Sequence, residues 1–401
     1  MIGDEYPPPL PPARASLGDR RLFPTLSHDV YLNHAAISPP STRVVAMMQA
    51  AIADFAAEGV GSVGPWLGQR ARLRNRLARL IGANTDDIAL VANTSAGVTA
   101  IARCFPWQSG DRVVVFSGEF PTNVTPWQQA ATSYDLHLET LDADLFAQPG
   151  EPDWGPLDHA LSQGVRLVAV SAVQFQTGLR VPLEPLYRRC HAAGAQVFVD
   201  GIQAVGAVPM DVRFMDYMAC GGHKWLMGPE GTGFVYVAPE HVGALRPHLA
   251  SWLSHEDALD FLFEAGKLRY DKPIKRSIDF LEAGAANVVG LAGLEAAVEH
   301  IEQLGVLSIY AHISTWLNAL EPALVARGFE SLRSADPKRR SGILSVEPTD
   351  GRSAADWALE LEDYGVAVTT PDGKLRFAPH WPNSLDEVER VIHAVDQVLG
   401  R

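Results

Sequence analysis

The chain is poor in cysteine and in positive charge, and both shortages exclude classes of protein. Three cysteines occur in 401 residues, and their wide spacing fits neither a disulfide scaffold nor a zinc site. Lysine and arginine number 33 against 47 aspartate and glutamate residues, so the formal net charge is −14. A chain this acidic is a poor general binder of nucleic-acid backbones, although local positive charge can still bind a small anion.

Long apolar runs are also scarce. We expect none of them to span a membrane, and the first residues have no apolar core typical of a secretory signal. The proline-rich run at 7–12 favours polyproline geometry, so residues 1–30 are predicted to form an N-terminal arm. These shortages together favour a soluble protein in a reducing, cytoplasmic setting.

Two regions of different character follow the arm. Between residues 86 and 240, short apolar runs alternate with helical stretches, which is typical of an α/β domain with an open, mostly parallel sheet. We therefore predict a large α/β domain over 31–275 and a small α+β C-terminal domain over 276–401. The seven predicted strands of the sheet are Ile88–Val91, Arg112–Phe116, Leu136–Leu141, Leu167–Val170, Gln196–Val199, Tyr217–Ala219 and Gly233–Val237.

Helices are predicted on both sides of these strands. Residues 42–81 repeat apolar side chains at helical spacing, and Ile202–Gly206 is predicted as a short helix after the fifth strand. The first of these regions ends in a basic cluster, which we interpret as solvated helix faces or subunit contacts. The cluster consists of Arg70, Arg72, Arg74, Arg76 and Arg79.

Polar side chains that follow the strands are candidate ligands, because α/β sheets bind ligands beyond the carboxyl ends of their strands. Thr94 and Ser95 follow the first predicted strand and begin a helix, where hydroxyl and N–H groups suit a phosphate. Ordinary helix capping explains the same two residues. Asp200 ends the fifth predicted strand, where an aspartate is often only a helix cap.

Lys224 has an unusual sequence setting, between His223 and Trp225 and flanked by glycines. Lysine is normally a solvated surface residue, and glycines on both sides indicate close backbone approach. A desolvated lysine has a lowered pKa and can form a Schiff base. Pyridoxal phosphate needs such a lysine, an acid beside its pyridine nitrogen and a phosphate cradle. A nucleotide-binding Rossmann protein is set aside, since no G-x-G-x-x-G motif follows a predicted strand.

Two segments carry a resemblance to a known family. They are Val199-Asp200-Gly201-Ile202-Gln203-Ala204-Val205-Gly206, and Gly222-His223-Lys224 with Gly228-Pro229-Glu230-Gly231. With them the chain resembles the class V aminotransferases among the fold-type I pyridoxal-phosphate enzymes, which include cysteine desulfurases, isopenicillin N epimerase-like proteins and kynureninases. The resemblance extends from Tyr31 to His380. It implies the cofactor pyridoxal phosphate, an amino-acid substrate and a homodimer with sites at the subunit interface.

The resemblance also implies a role for each residue of the site. Lys224 would be the Schiff-base lysine that moves the proton at Cα, and Asp200 would pair with the pyridinium. Arg376 would clamp the substrate carboxylate with its planar fork, although a surface salt bridge is the plainer explanation. The other implied contacts are phosphate binding by Thr94, Ser95 and His223, a hydrogen bond from Gln203 to the ring hydroxyl, and stacking by Phe120, which could also be a core aromatic.

Several positions depart from the cysteine desulfurases of that family. The loop at 369–373, shortly before Arg376, lacks their nucleophilic cysteine, and Phe120 replaces a histidine. Gly221 and Ala285 replace hydroxyl residues that bind phosphate. We therefore expect the chain not to be a true cysteine desulfurase.

The expected function is a C–S or β-elimination lyase, or an aminotransferase-type reaction, without a catalytic cysteine. The alternatives are an amino-acid epimerase of the isopenicillin N epimerase-like branch and a catalytically weak protein of this fold that binds a partner or a ligand.

Overall fold

A computed structural model describes residues 14–147 and 150–400, so the proline-rich run predicted at 7–12 lies outside the described residues. The strands are β1 (Val30–Tyr31), β2 (Ile88–Val91), β3 (Arg112–Phe116), β4 (His137–Leu141), β5 (Val165–Ser171), β6 (Gln196–Asp200), β7 (Tyr217–Gly221), β8 (Gly233–Val237), β9 (Phe329–Ser331), β10 (Leu344–Pro348), β11 (Val366–Ala367) and β12 (Leu375–Phe377). The α-helices are α1 (Thr42–Glu58), α2 (Val63–Ile81), α3 (Thr94–Cys104), α4 (Thr125–Tyr134), α5 (Gly155–Ser162), α6 (Leu183–Ala192), α7 (Pro239–Val242), α8 (Asp260–Phe263), α9 (Val288–Leu304), α10 (Val306–Val325), α11 (Ala354–Asp363) and α12 (Glu387–Val398).

The central sheet has seven strands in the order β2-β8-β7-β6-β5-β3-β4. Strand β8 runs antiparallel to β7 and β2, and the other neighbours are parallel. Strands β7 and β8 are buried along their whole length, as expected for strands covered on both faces. All seven predicted strands are present in this sheet. The predicted α/β class with a mostly parallel seven-stranded sheet is therefore confirmed.

A smaller layer of sheet lies in the C-terminal part. Strands β9, β10 and β12 form an antiparallel sheet in the order β12-β10-β9, and α10 and α11 pack against α12. Strand β1 pairs in parallel with β11, so the chain just after the arm is tied to the C-terminal part rather than to the central sheet. The proposed division of the chain near residue 275 stays a prediction.

The helix predicted at Ile202–Gly206 was wrong, because these residues form successive turns. The reason is close packing against the loop that carries Lys224. Gly206 has a φ of +103°, and a Cβ atom there would lie 2.4 Å from the carbonyl oxygen of Trp225. A regular helix, with a side chain at this position, does not fit under that carbonyl group.

Most members of the basic cluster on α2 form ion pairs within the chain, which the interpretation as solvated helix faces or subunit contacts did not include. Helices α1 and α2 pack on α9, and the acidic side chains of α9 face the arginines. Arg72 and Arg76 pair with Glu295, while Arg79 pairs with Glu302. Arg74 pairs with Glu282, which lies before α9. These arginines therefore hold the helical layer together within one chain.

The helical stretch Thr42–Ile81 differs from the expectation that no run reaches membrane length. It has 40 residues, and one 18-residue segment within it is apolar enough, by length and composition, to cross a membrane. In the structure 17% of that segment is buried. A 3-10 turn at Gly59–Ser62 divides it into α1 and α2. Composition of this kind is weak evidence for a membrane, because helices of globular proteins pass the same test.

Candidate active site

The predicted site residues meet at one edge of the central sheet. Strand β6 ends at Asp200, β7 ends at Gly221 three residues before Lys224, and β2 ends shortly before Thr94. These three strands run in the same direction, since β8 lies antiparallel to both β2 and β7. Their carboxyl ends therefore converge, which is where an open α/β sheet binds its ligand.

Lys224 lies half-buried between charged and aromatic side chains. Its Nζ atom is 5.4 Å from the centre of the Phe120 ring. Burial lowers the pKa of Lys224 to about 8, while the charge of Asp200 acts to raise it and that of Arg376 acts to lower it. A lysine with this pKa is partly neutral near neutral pH. It can therefore act as a nucleophile and as a base.

Asp200 is 2% exposed and its Oδ1 accepts a hydrogen bond of 2.9 Å from the Ile202 N–H. Burial raises its pKa to about 6, against smaller opposing effects of this hydrogen bond and of Lys224. The helix that it was suspected of capping is absent. A buried carboxylate with spare acceptor capacity is suited to hold a proton on the nitrogen of an aromatic ring.

The start of α3 forms a cradle for an anion. Asn93 caps the helix by accepting from the Ala96 N–H, which leaves the N–H groups of the first residues pointing outward. Thr94 Oγ1 accepts from the Gly221 N–H at 2.9 Å and keeps its own proton to donate. A Cβ at Gly221 would lie 3.1 Å from Thr94 Oγ1 and 3.3 Å from His223 Nδ1, so glycine brings these groups together. Ordinary capping thus falls to Asn93, not to Thr94.

Ser95 and Gln203 complete the polar lining. The exposed Ser95 hydroxyl lies 2.7 Å from Thr122 Oγ1. Gln203 is buried; its Nε2 donates to the Ala35 carbonyl at 2.9 Å, and its Oε1 accepts from Trp225 Nε1 at 2.8 Å. One N–H of Gln203 Nε2 remains, enough for the hydrogen bond to a ring hydroxyl that the resemblance implies.

Phe120 is not a core residue, because 46% of its surface is exposed. Its ring meets the Phe175 ring edge to face, with the centres 5.3 Å apart, beside the amino group of Lys224. An exposed aromatic face next to a lysine provides a surface on which another ring can stack.

Arg376 is a buried cation at the same site. Its Nη1 donates to the Phe175 carbonyl at 2.8 Å and its Nη2 to Thr369 Oγ1 at 3.1 Å, while its buried Nε has no partner among residues 14–147 and 150–400. Among the described residues no carboxylate pairs with it, and burial lowers its pKa to about 10. The alternative explanation, a surface salt bridge, is therefore not observed in the described part of the chain, and the guanidinium is available to a carboxylate ligand.

These residues fit pyridoxal phosphate by the chemistry of their donors and acceptors. Lys224 would hold its aldehyde carbon, and the start of α3 with His223 would hold its phosphate. Asp200 would face the ring nitrogen, opposite in charge to a protonated ring.

The sequence reasoning missed Glu119, which lies directly before Phe120. Its Oε1 accepts from the Ser171 N–H at 2.7 Å, and its Oε2 contacts Ser171 Oγ and accepts from Asn123 Nδ2. Burial is the largest cause that raises its pKa to about 7, and the charge of Asp200 adds to the increase. Its place beside the stacking residue was a usable signal, but Ser171 lies too far along the chain for sequence spacing to connect the two.

All three cysteines are buried and free. Burial raises the pKa of Cys190 to about 12 and that of Cys220 well above its usual value, and it also raises the pKa of Cys104. Thiols of this kind are poor nucleophiles, since the thiolate is the reactive form.

Comparison with known proteins places the chain in a family. The family model for aminotransferase class-V matches residues 30–378, so the chain belongs to the class V aminotransferases. Members of this family use pyridoxal phosphate, and the chain is therefore a pyridoxal-phosphate-dependent enzyme, as predicted.

Several relatives are cysteine desulfurases. A probable cysteine desulfurase of Methanothermobacter thermautotrophicus is 28% identical, over 95% of this chain and 97% of the relative. A cysteine desulfurase of Dickeya dadantii is 32% identical, over 74% of this chain and 70% of the relative. The solved structure of the desulfurase CsdA from Escherichia coli is 26% identical with a TM-score of 0.82, and covers 95% of this chain and 97% of its own.

A further solved structure shares the fold. It is the cystine C-S lyase C-DES in complex with its reaction product, cysteine persulfide, with 21% identity and a TM-score of 0.84 over 93% of this chain and 98% of that chain. These comparisons give no support to the expectation that the chain is not a true cysteine desulfurase. The reaction is therefore a matter for proposal and experiment.

Proposed function

We propose that this enzyme cleaves the carbon–sulfur bond of a small sulfur-bearing amino acid by β-elimination, without a catalytic cysteine. The state of the thiols carries the proposal: the three cysteines are buried, burial raises their pKa values, and none lies on the loop at 369–373 next to Arg376. A desulfurase that passes sulfur to its own cysteine needs an accessible thiolate. An elimination needs none, because the sulfur leaves as a thiol.

Arg376 and Lys224 divide the work on the substrate. Arg376 binds the α-carboxylate through its guanidinium fork, which orients the Cα–H bond. Bound pyridoxal phosphate supplies an electron sink for the negative charge that develops at Cα. Lys224, with a pKa of about 8, takes the proton from Cα and returns it to the leaving sulfur.

The identity of residue 120 limits which groups can donate a proton to the leaving group. A phenyl ring neither donates nor accepts a proton, so Lys224 or the substrate itself must supply the proton for the leaving group. An aminotransferase-type reaction is the second candidate, since a single proton-shuttling lysine is sufficient for it as well. The amino-acid epimerase alternative stays a prediction without an observation in its favour.

The products distinguish these reactions. Holoenzyme is incubated with L-cysteine, L-cystine and amino acids without sulfur, and keto acid, ammonia, sulfide and alanine are measured. Elimination from cysteine takes up one water and gives pyruvate, ammonia and sulfide in equal amounts. A desulfurase gives alanine and a persulfide on an enzyme cysteine, and that result would overturn the proposal. Keto acid without ammonia or sulfide, formed with a keto-acid acceptor, would indicate the aminotransferase.

Two variants make the assay specific to the residues. Cys220→Ala removes the thiol nearest Lys224 in sequence and should leave the turnover unchanged. Lys224→Ala should abolish turnover and the absorbance band, near the boundary of the visible and ultraviolet, of pyridoxal phosphate linked to a lysine. Protein that stays colourless with added pyridoxal phosphate, and unreactive with every amino acid, would indicate the catalytically weak binding protein.

We also propose that the enzyme is a homodimer. Large apolar side chains are exposed on α1, on the turn after it, and on the segment around α8; Phe55 is 66% exposed, Val60 85% and Phe263 76%. A second copy would cover this surface and also the apolar window of Thr42–Ile81. Sedimentation equilibrium at micromolar concentration tests this, and a strict monomer would contradict it. The cytoplasmic setting and the lack of membrane and nucleic-acid partners stay predictions.

A further inference from the structure

Three consecutive carbonyl groups around Lys224 accept hydrogen bonds from distant parts of the chain. Ser38 N–H donates to the His223 carbonyl at 2.8 Å, and Ser38 Oγ donates to the Lys224 carbonyl at 2.7 Å. His380 Nε2 lies 2.9 Å from the Trp225 carbonyl. The backbone of the lysine is thus held by residues that are neither in its own loop nor in the central sheet.

The direction of the hydrogen bonds at Ser38 follows from the groups involved. A carbonyl oxygen only accepts, so the single hydroxyl proton of Ser38 points at the Lys224 carbonyl. His34 Nδ1 lies 2.7 Å from the same hydroxyl oxygen and must therefore be the donor. Burial lowers the pKa of His34 well below its ordinary value, so the ring is neutral with its proton on Nδ1. His34, Ser38 and the Lys224 carbonyl form one directed chain.

The same segment is anchored at its other end beside Arg376. Asn33 Oδ1 accepts from Thr369 Oγ1 at 3.0 Å, and Thr369 Oγ1 accepts from Arg376 Nη2 at 3.1 Å. The backbone N–H of His34 donates to the Ala378 carbonyl. Residues 33–38 therefore span from the carboxylate-binding arginine to the backbone of the lysine, with both ends fixed.

We propose that Ser38, oriented by His34, is a positioning residue that sets the place of the Lys224 amino group through its backbone. The inference concerns where Lys224 is held, and it rests on the proposed function only in that Lys224 is the reactive amine. Loss of the Ser38 hydroxyl leaves the Lys224 carbonyl without this donor, and the lysine then samples positions away from Asp200 and Phe120.

The test begins with protein that contains no cofactor. The ε-amino group of Lys224 is labelled by formaldehyde and cyanoborohydride over a range of pH, and the extent is read for each lysine by mass spectrometry. In Ser38→Ala the midpoint for Lys224 should move toward the ordinary lysine value of about 10.4, because the amine gains solvent. The affinity for pyridoxal phosphate should fall about tenfold, the order expected for one buried hydrogen bond.

Matched variants separate positioning from a general loss of structure. Tyr31→Phe removes another hydroxyl–carbonyl bond of the same region, from Tyr31 to the Ile37 carbonyl, and should behave as wild type. Ser38→Thr keeps a hydroxyl and should restore the labelling midpoint. Ser38→Cys, a weaker donor of similar size, should be intermediate and serves where Ser38→Ala fails to fold.

Kinetics give an independent measure. Ser38→Ala should lower kcat about tenfold with little change in KM, because substrate binding at Arg376 is kept. A folded Ser38→Ala protein with the wild-type labelling midpoint and cofactor affinity would overturn the proposal. If the enzyme proves not to cleave carbon–sulfur bonds, the labelling and affinity measurements still decide the role of Ser38, so the two failures are distinguishable.

Discussion

Replacement of Arg376 by methionine should weaken substrate binding strongly and leave the stability of the folded protein nearly unchanged. Arg376 is 4% exposed, and its guanidinium makes two hydrogen bonds, to the Phe175 carbonyl and to Thr369 Oγ1. No carboxylate among the described residues pairs with it, and its Nε has no partner. A buried charge in this state destabilises the folded protein until a ligand neutralises it.

The size of the effect follows from the pKa of Arg376. Burial lowers it from 12.5 to about 10, which corresponds to about 3 kcal/mol of unfavourable free energy for the charged form, at about 1.4 kcal/mol per tenfold change. Because the folded pKa is depressed, the penalty is present at every pH below about 10. Methionine removes it and fills similar space, but loses two hydrogen bonds from a charged donor, worth about 1.5 kcal/mol each. The two effects offset each other, so the net change in stability is expected to lie within about 1 kcal/mol of zero.

The assay combines melting of the cofactor-free protein with steady-state kinetics. Arg376→Met should melt within about 2 °C of wild type, given the size of the chain. Its KM for the amino-acid substrate should rise on the order of a hundredfold, as expected for a lost charge-assisted carboxylate contact. Arg376→Lys keeps a cation without the fork and serves as the control, with an intermediate KM. A lower melting temperature together with an unchanged KM would refute the reasoning, since Arg376 would then be structural.

Two further predictions concern the loop of the lysine. The rate at which cofactor-free protein combines with pyridoxal phosphate, measured by absorbance, should rise with pH through a midpoint near 8, because the amine of Lys224 must be neutral to react. A midpoint near 10 would contradict the lowered pKa of Lys224. Gly206→Ala should lower the free energy of unfolding in urea by about 2–4 kcal/mol, because its φ is +103° and its Cβ would lie 2.4 Å from the Trp225 carbonyl oxygen. The control Gly243→Ala, with open space around it, should leave this free energy nearly unchanged. Equal stabilities of the two variants would show that the loop adjusts to the added methyl group.

The central sheet could be predicted because its strands are short apolar runs, buried on both faces and separated by polar turns. Apolar runs such as those that contain Val113 and Phe234 predict this burial from their composition alone. The residues that follow β6 and β7 could be found as well, since parallel strands deliver their ends to one edge. The positions of Asp200 and Lys224, at or just after the ends of two neighbouring strands, therefore predict that the two side chains lie at the same site.

Contacts between distant segments could not be predicted in this way. Ser38 and Lys224 are 186 residues apart, and Glu119 meets Ser171 across 52 residues. The arginines of α2 looked solvated because their partners on α9 lie more than 200 residues away. Periodicity shows which face of a helix is polar, but not which charged surface that face will meet.

The pKa values of Asp200 and Lys224 are both shifted toward neutral pH, so a charge brought by the substrate can change their protonation. Burial raises the pKa of Asp200 to about 6 and lowers that of Lys224 to about 8, and the charge of Arg376 contributes to the second shift. A substrate carboxylate bound at Arg376 cancels part of that charge. The pKa of Lys224 must then rise, so the lysine becomes a stronger base when its substrate is in place. The buried arginine thus orients the substrate and also couples substrate binding to the basicity of the lysine.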